Sequence, residues 1–256
     1  MSLLGHILGV LVLCGASTLA SVAQQSAPAA VPQTPAEKPS APPQAPGEQE
    51  IEKKEQSQRI LGVVPMFAVT SRQDAPPLTP RQKFHLTAKQ ITDPFTFVAA
   101  GLQAGLSQAT DEFSGYGQGA AGYGKRYGAT FADLASSQFF SNFFYPVLLK
   151  EDPRYFRSGE GSIKHRIGYA LAQEFVCHTD SGGRSFNWSN ALGAVTTGGL
   201  SNAYYPSTDR GFGLTMSRSG VALLYGSAGG LVQEFWPDIQ RKVLHKQPQP
   251  IQSPAR

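Results

Sequence analysis

Gly128 to Pro146 reads GATFADLASSQFFSNFFYP, and sixty residues on, Trp188 to Pro206 reads WSNALGAVTTGGLSNAYYP. Each is a run of small residues that ends in an aromatic pair and a proline. Ser141-Asn142 and Tyr145-Pro146 in the first recur as Ser201-Asn202 and Tyr205-Pro206 in the second, and Phe235-Trp236-Pro237 closes a third long segment. Small residues let helices approach closely, and a proline without an N–H stops or kinks the turn it enters. The reading is therefore a set of closely packed helices with aromatic ends. If the echo is an internal duplication, the two proline ends occupy equivalent places, and Asn142 and Asn202 each meet backbone at a helix terminus.

Outward from that stretch the helical period dominates. Thr79-Pro80-Arg81-Gln82 is a helix start, with Thr as cap, Pro in the first turn and Gln three residues after the cap. Phe84, Ala88 and Ile91 give this helix an apolar face, and Asp93-Pro94 ends it and caps the next. From Pro94 to Glu112, Phe95, Val98, Ala99, Leu102, Leu106, Ala109 and Phe113 recur on one face, expected to be the core side. A third helix runs from about Tyr123 to Lys150 with a kink at Pro146. Its interior Asp133 is expected to pair with an arginine. Ser162 to His178 reads as helix with Ile163, Ile167, Ala170, Leu171 and Glu174 on one side, and the last long helix runs to Phe235, where Pro237 interrupts it. Ile60 to Val69, broken by Pro65, reads as an extended segment or short edge strand. Alternation of the β-barrel kind is confined to the Gly/Tyr stretch 114–124.

The two ends differ in composition. Leu3 to Ala20 is an apolar run followed by Ser21-Val22-Ala23, a small-x-small site of the kind signal peptidase cuts, so residues 1–23 are expected to be a signal peptide. Gln24 to Gln58 is rich in Ala, Pro and Gln, with too few apolar side chains to offset the entropy of ordering, and reads as a disordered linker. The folded domain is then 59–246, with a disordered tail over 247–256. Up to Gln58 there are three lysines and five glutamates; beyond it stand nineteen basic and thirteen acidic residues, a net of +6. The basic residues are dispersed and lack a run of stacking aromatics, which argues against nucleic acid. The excess charge suits an anionic membrane surface or envelope polymer. Small-residue helix faces also offer a route to oligomers. Removal of the leader takes Cys14 with it and leaves Cys177 alone, read as a small buried residue with no internal disulfide.

Residues able to do chemistry sit in loops. Gly117, Gly119 and Gly122 spell G-x-G-x-x-G, but a phosphate cradle needs a preceding strand, and an amphipathic helix precedes this one. His178 and Asp180 form an H-x-D pair, with Ser181 and Arg184 beside them. These are the residue types of nucleophilic hydrolysis, although no nucleophile-elbow pattern surrounds Ser181. His165 lies more than three helical turns from the pair, so a metal site is not expected, nor is a cofactor. The plainer expectation is that Asp180, Ser181 and Arg184 fix a turn and cap the helix starting at Trp188.

EDPRYFR (Glu151–Arg157), HTDSG (His178–Gly182), FNWSN (Phe186–Asn190), SNAYYP (Ser201–Pro206) and EFWPDIQRK (Glu234–Lys242) occur in this order. In this the chain resembles, over roughly residues 79–246, a loosely defined set of exported bacterial proteins. The resemblance implies export to the periplasm or outer envelope and brings no activity with it. The sequence thus leads to an all-α bundle of five to seven Gly/Ala-rich helices after a disordered arm. The expected role is a non-catalytic envelope protein, structural or binding, associated with a membrane. The rival is a periplasmic hydrolase using the Thr179–Arg184 loop.

Overall fold

A computed structural model describes residues 46–243, all within one compact unit, Ala41–Arg256. The expected signal peptide and C-terminal tail lie outside the described residues. Among the described residues the chain is mostly helical: α1 (Pro46–Glu55), α2 (Pro80–Ile91), α3 (Pro94–Ala109), α4 (Gly119–Phe139), α5 (Tyr145–Leu149), α6 (Ile163–Ala172), α7 (Trp188–Ser201) and α8 (Phe212–Val243). Six short strands punctuate them. β1 (Arg59–Ile60) pairs with β2 (Val64–Pro65), β3 (Val69–Thr70) runs parallel to β4 (Tyr155–Phe156), and β5 (Val176–His178) forms a hairpin with β6 (Arg184–Phe186). The all-α bundle expected from the helical period is the architecture found.

Several elements follow directly from local chemistry. Thr79 and Gln82 close a full capping box on α2, and the Asp93 carboxylate accepts from the Phe95 N–H to start α3. Ile60–Val69 is the docked, partly stranded segment expected, with Met66, Phe67 and Val69 buried. Its turn carries Leu61 and Gly62 at positive φ.

The prolines have three different outcomes. α7 ends at Ser201, before Tyr205-Pro206. Pro146 does not stop its helix: a π-helical segment, Phe140–Phe144, widens the turn ahead of it and the helix continues as α5. Pro146 cannot donate to the Asn142 carbonyl and its ring crowds that oxygen, so the wider turn absorbs the misfit. α8 passes straight through Pro237, correcting the expected break at Phe235. Pro237 withholds an N–H from the Gln233 carbonyl, and at the next carbonyl, that of Glu234, Arg157 Nε and Arg166 Nη2 both donate.

Other boundaries move. Helix α1 begins inside the stretch read as linker, and its Glu55 is buried, accepting from Thr70 Oγ1 at 2.7 Å. The helix expected over 162–178 ends at Ala172, and Val176–His178 is strand. Glu151–Arg157, polar and aromatic in sequence, is largely internal: Glu151, Asp152, Arg154 and Phe156 are all buried.

The largest correction concerns which helix faces point inward. α3 buries Ala100, Ala104 and Ser107, while Val98, Leu102 and Leu106 of the expected core face are exposed. α2 buries Lys83, Leu86 and Thr87 and leaves Phe84 half-exposed; α6 buries Arg166 and Ala170 and exposes Ile163, Ile167 and Leu171. α7 packs on α8 through Gly198, where an added Cβ would lie 2.8 Å from Ser219 Oγ. At Gly193 it would run into Ser141. The small-residue faces are used inside the chain.

Candidate functional site

The interior is held by charges. Lys83, 1 % exposed, donates to both carboxylate oxygens of Asp180 (2.7 and 2.8 Å) and to the carbonyls of Glu151 (2.8 Å) and Pro146 (3.2 Å). One ammonium therefore joins α2, the start of α5, the Glu151 segment and the β5–β6 loop. Glu234 on α8 accepts from Arg166 Nε (2.8 Å), Tyr155 Oη (3.0 Å) and the N–H groups of Ser158 and Gly159. Asp238, one turn on, pairs with Arg166 and Arg157. Asp152 and Arg154 form a buried fork, and Arg154 also reaches the Pro76 carbonyl. Buried charges are stable only when paired and hydrogen-bonded in this way.

The loop residues singled out in the sequence border these contacts. Asp180 is bound to Lys83, and Ser181 Oγ shares a 2.9 Å hydrogen bond with Thr179 Oγ1. His178 stacks on Phe156 at 3.8 Å with Nδ1 buried and unpartnered, and burial followed by the nearby Arg184 pushes its pKa down, so the ring is neutral. Arg184 lies over the Tyr169 ring. His178 and Arg184 are cross-strand partners, and among the described residues none of the four side chains hydrogen-bonds another. The cap of α7 is Asn187, which accepts from the Asn190 N–H, rather than Asp180, Ser181 or Arg184. Among the described residues no three His, Cys, Asp or Glu are grouped to hold a metal. Cys177 is buried beside Ser185, and burial pushes its thiol up to about 11.

The glycine-rich turn wraps a cation. Arg126 donates to the carbonyls of Glu112 (2.9 Å), Gly117 (2.5 Å) and Phe113 (3.2 Å) and to Gln108 Oε1. A side chain at Gly122 would collide with the Gly117 carbonyl. The carbonyl oxygens face inward onto Arg126, the reverse of an anion cradle.

The paired motifs differ in role. Asn202 closes α7 as expected, donating to the Gly198 and Gly199 carbonyls and Thr215 Oγ1 and accepting from the Gly211 N–H. Asn142 instead bonds Gln138 within its own helix and faces a cavity. Tyr145 Oη meets Thr196 Oγ1, whereas Tyr205 Oη and Tyr204 Oη both donate to Asp133. Asp133 thus has two tyrosines as its hydrogen-bond donors instead of the expected arginine, and burial still pushes its pKa up.

At the centre lies a half-open cavity of about 350 Å³. The α4–π segment contributes Ser137, Gln138, Ser141 and Asn142; α2 adds Gln90 and α8 adds Gln233. The EDPRYFR segment contributes Glu151, Asp152 and Arg154. Gln173 and Glu174 follow α6, and Ser189 and Asn190 open α7. Glu174 accepts from Asn190 Nδ2 at 2.6 Å and presses against Gly226, where any side chain would strike its carboxylate. Glu151 Oε2 accepts the Ser189 N–H at 2.9 Å. Sequence reading missed this cavity; its signal was the amide- and hydroxyl-rich inner face of the opening stretch, read there only as close packing. Comparison with family profiles, curated proteins and solved structures finds no match.

Proposed function

We propose that the protein is a non-catalytic, exported envelope protein that lies against a membrane surface through its apolar helix faces. One observation carries this reading: the helices bury small and polar residues and expose large apolar ones. On α3, Leu102 is 72 % and Leu106 66 % exposed while Ala104 is 0 % exposed. Ile163, Ile167 and Leu171 repeat the pattern on α6, as do Leu224, Tyr225 and Val232 on α8. Scattered exposed apolar residues are ordinary, but apolar stripes on three helices mark surfaces meant to be covered. Burying one such leucine gains about 1.5–3 kcal/mol, so a few suffice for interfacial binding. No helix among the described residues is long and apolar enough to cross a membrane, which favours lying on the surface over spanning it. The net positive charge beyond Gln58 adds attraction to anionic headgroups.

Flotation with vesicles tests this. The protein should float with anionic vesicles at low salt and retain part of that binding at high salt, the residue being apolar insertion. Leu102→Gln with Leu106→Gln should remove the salt-resistant part. Failure to float under either condition rejects the membrane reading, and a defined oligomer in solution with no vesicle binding would assign the stripes to self-association instead.

A further inference from the structure

The cavity's charge balance points to a ligand. Asp152 is matched by Arg154, but among the described residues Glu174 has Asn190 as its polar partner and no cation against it. Glu151 meets the Ser189 N–H, while Lys83 goes to the Glu151 carbonyl rather than its carboxylate. A second observation is independent of charge. Ser189, 2 % exposed, lines the cavity, and its Oγ is sealed from solvent with no protein partner. The Oε1 of Gln90, another lining residue, is likewise buried and without a hydrogen-bond partner among the described residues. A buried hydroxyl or amide oxygen left unpaired is costly, and a partly buried carboxylate without a counter-charge adds to that cost. A bound molecule that supplies both a cation and hydrogen-bonding groups would relieve them together.

We propose that this cavity binds a small hydroxylated amine of amino-sugar size, its protonated amine on Glu174 and its hydroxyls on Ser189 Oγ and the surrounding side-chain amides. The volume is that of about a dozen waters at about 30 Å³ each, room for a single sugar ring and too little for a polymer strand. The lining is mostly polar, unlike the apolar walls that hold lipid tails or flat aromatic ligands. Gly226 belongs to the same device, since only glycine lets the Glu174 carboxylate sit where it does.

Titration calorimetry on the full chain, without vesicles, tests the proposal apart from membrane binding. The probes are glucosamine, its uncharged N-acetyl form and glucose. Glucosamine should bind at least tenfold more tightly than the other two. Glu174→Gln should abolish that preference while keeping the native circular dichroism spectrum and a cooperative unfolding transition. Gly226→Ala, which displaces the carboxylate without removing it, should weaken glucosamine binding severalfold. Equal binding of all three probes, no binding of any at millimolar concentration, or an undiminished preference in a folded Glu174→Gln protein would overturn it.

Discussion

Single residues in this protein act as ties between segments distant in sequence. Lys83 shows it most directly, with four acceptors drawn from three elements. Removing one partner of a buried pair strands the other. Lys83→Met should therefore lower unfolding free energy by about 3 kcal/mol in a urea titration. Asp180→Asn added to it should cost clearly less than it does alone, because the two act on one interaction. Glu174 makes a prediction about pH. Burial, only partly offset by Asn190, raises its folded pKa above 4.5. Between those two values the folded state holds more protons than the unfolded one, so stability falls as pH climbs through that window and stays lower above it. Glu174→Gln should then be more stable than the parent protein near pH 8 and no different near pH 4, as read from paired denaturation curves. Asp93 works in the opposite sense, since Arg59 holds its carboxyl below the usual range. Its contribution is present at neutral pH and is lost as pH falls through the depressed folded value.

At the level of elements, two similar sequences take different structures because their surroundings differ. Ser141-Asn142 and Ser201-Asn202 both precede an aromatic pair and a proline, yet the first continues through a π turn and the second ends a helix. Asn202 makes four hydrogen bonds at that end, so Asn202→Ala should cost about 1–2 kcal/mol by thermal or chemical unfolding. Asn142→Ala should cost well under half as much, since its amide bonds only Gln138 and borders the cavity. Equal losses at the two positions would mean that the π turn depends on Asn142 in a way its contacts do not show.

The whole molecule is organised around paired charges and small residues, with apolar side chains forming only modest clusters such as Phe67, Leu78 and Leu86. EDPRYFR and EFWPDIQRK, some eighty residues apart, meet at Tyr155, Arg157, Glu234 and Asp238. HTDSG is tied in through Asp180, and FNWSN through the Ser189 N–H on Glu151. The apolar stripes are left on the outside. Leu102→Gln with Leu106→Gln should then leave stability within about 0.5 kcal/mol of the parent, as exposed positions do. A core face would lose several times that, and the same pair is the one expected to weaken vesicle binding. Calorimetry of the double variant decides between the two.

What the chain states locally, it states clearly in sequence. The capping box at Thr79, the Asp93 cap and the helical period of α3 each depend on residues within a few positions of one another, and each is found where local rules put it. The direction a helix faces is not local. A 3.6-residue period marks two faces and labels neither as inside; the usual assumption assigns the apolar one to the core. Here Ala100, Ala104 and Ser107 are the buried positions of α3, which packs on α4 with Tyr123 Oη donating to the Gly101 carbonyl. Lys83, Arg126 and Glu234 can be internal only because carbonyls and counter-charges from distant segments converge on them. Those partners lie from nine to ninety-seven residues away, and their meeting, like the cavity between Glu151, Glu174 and Ser189, exists only once the helices have packed.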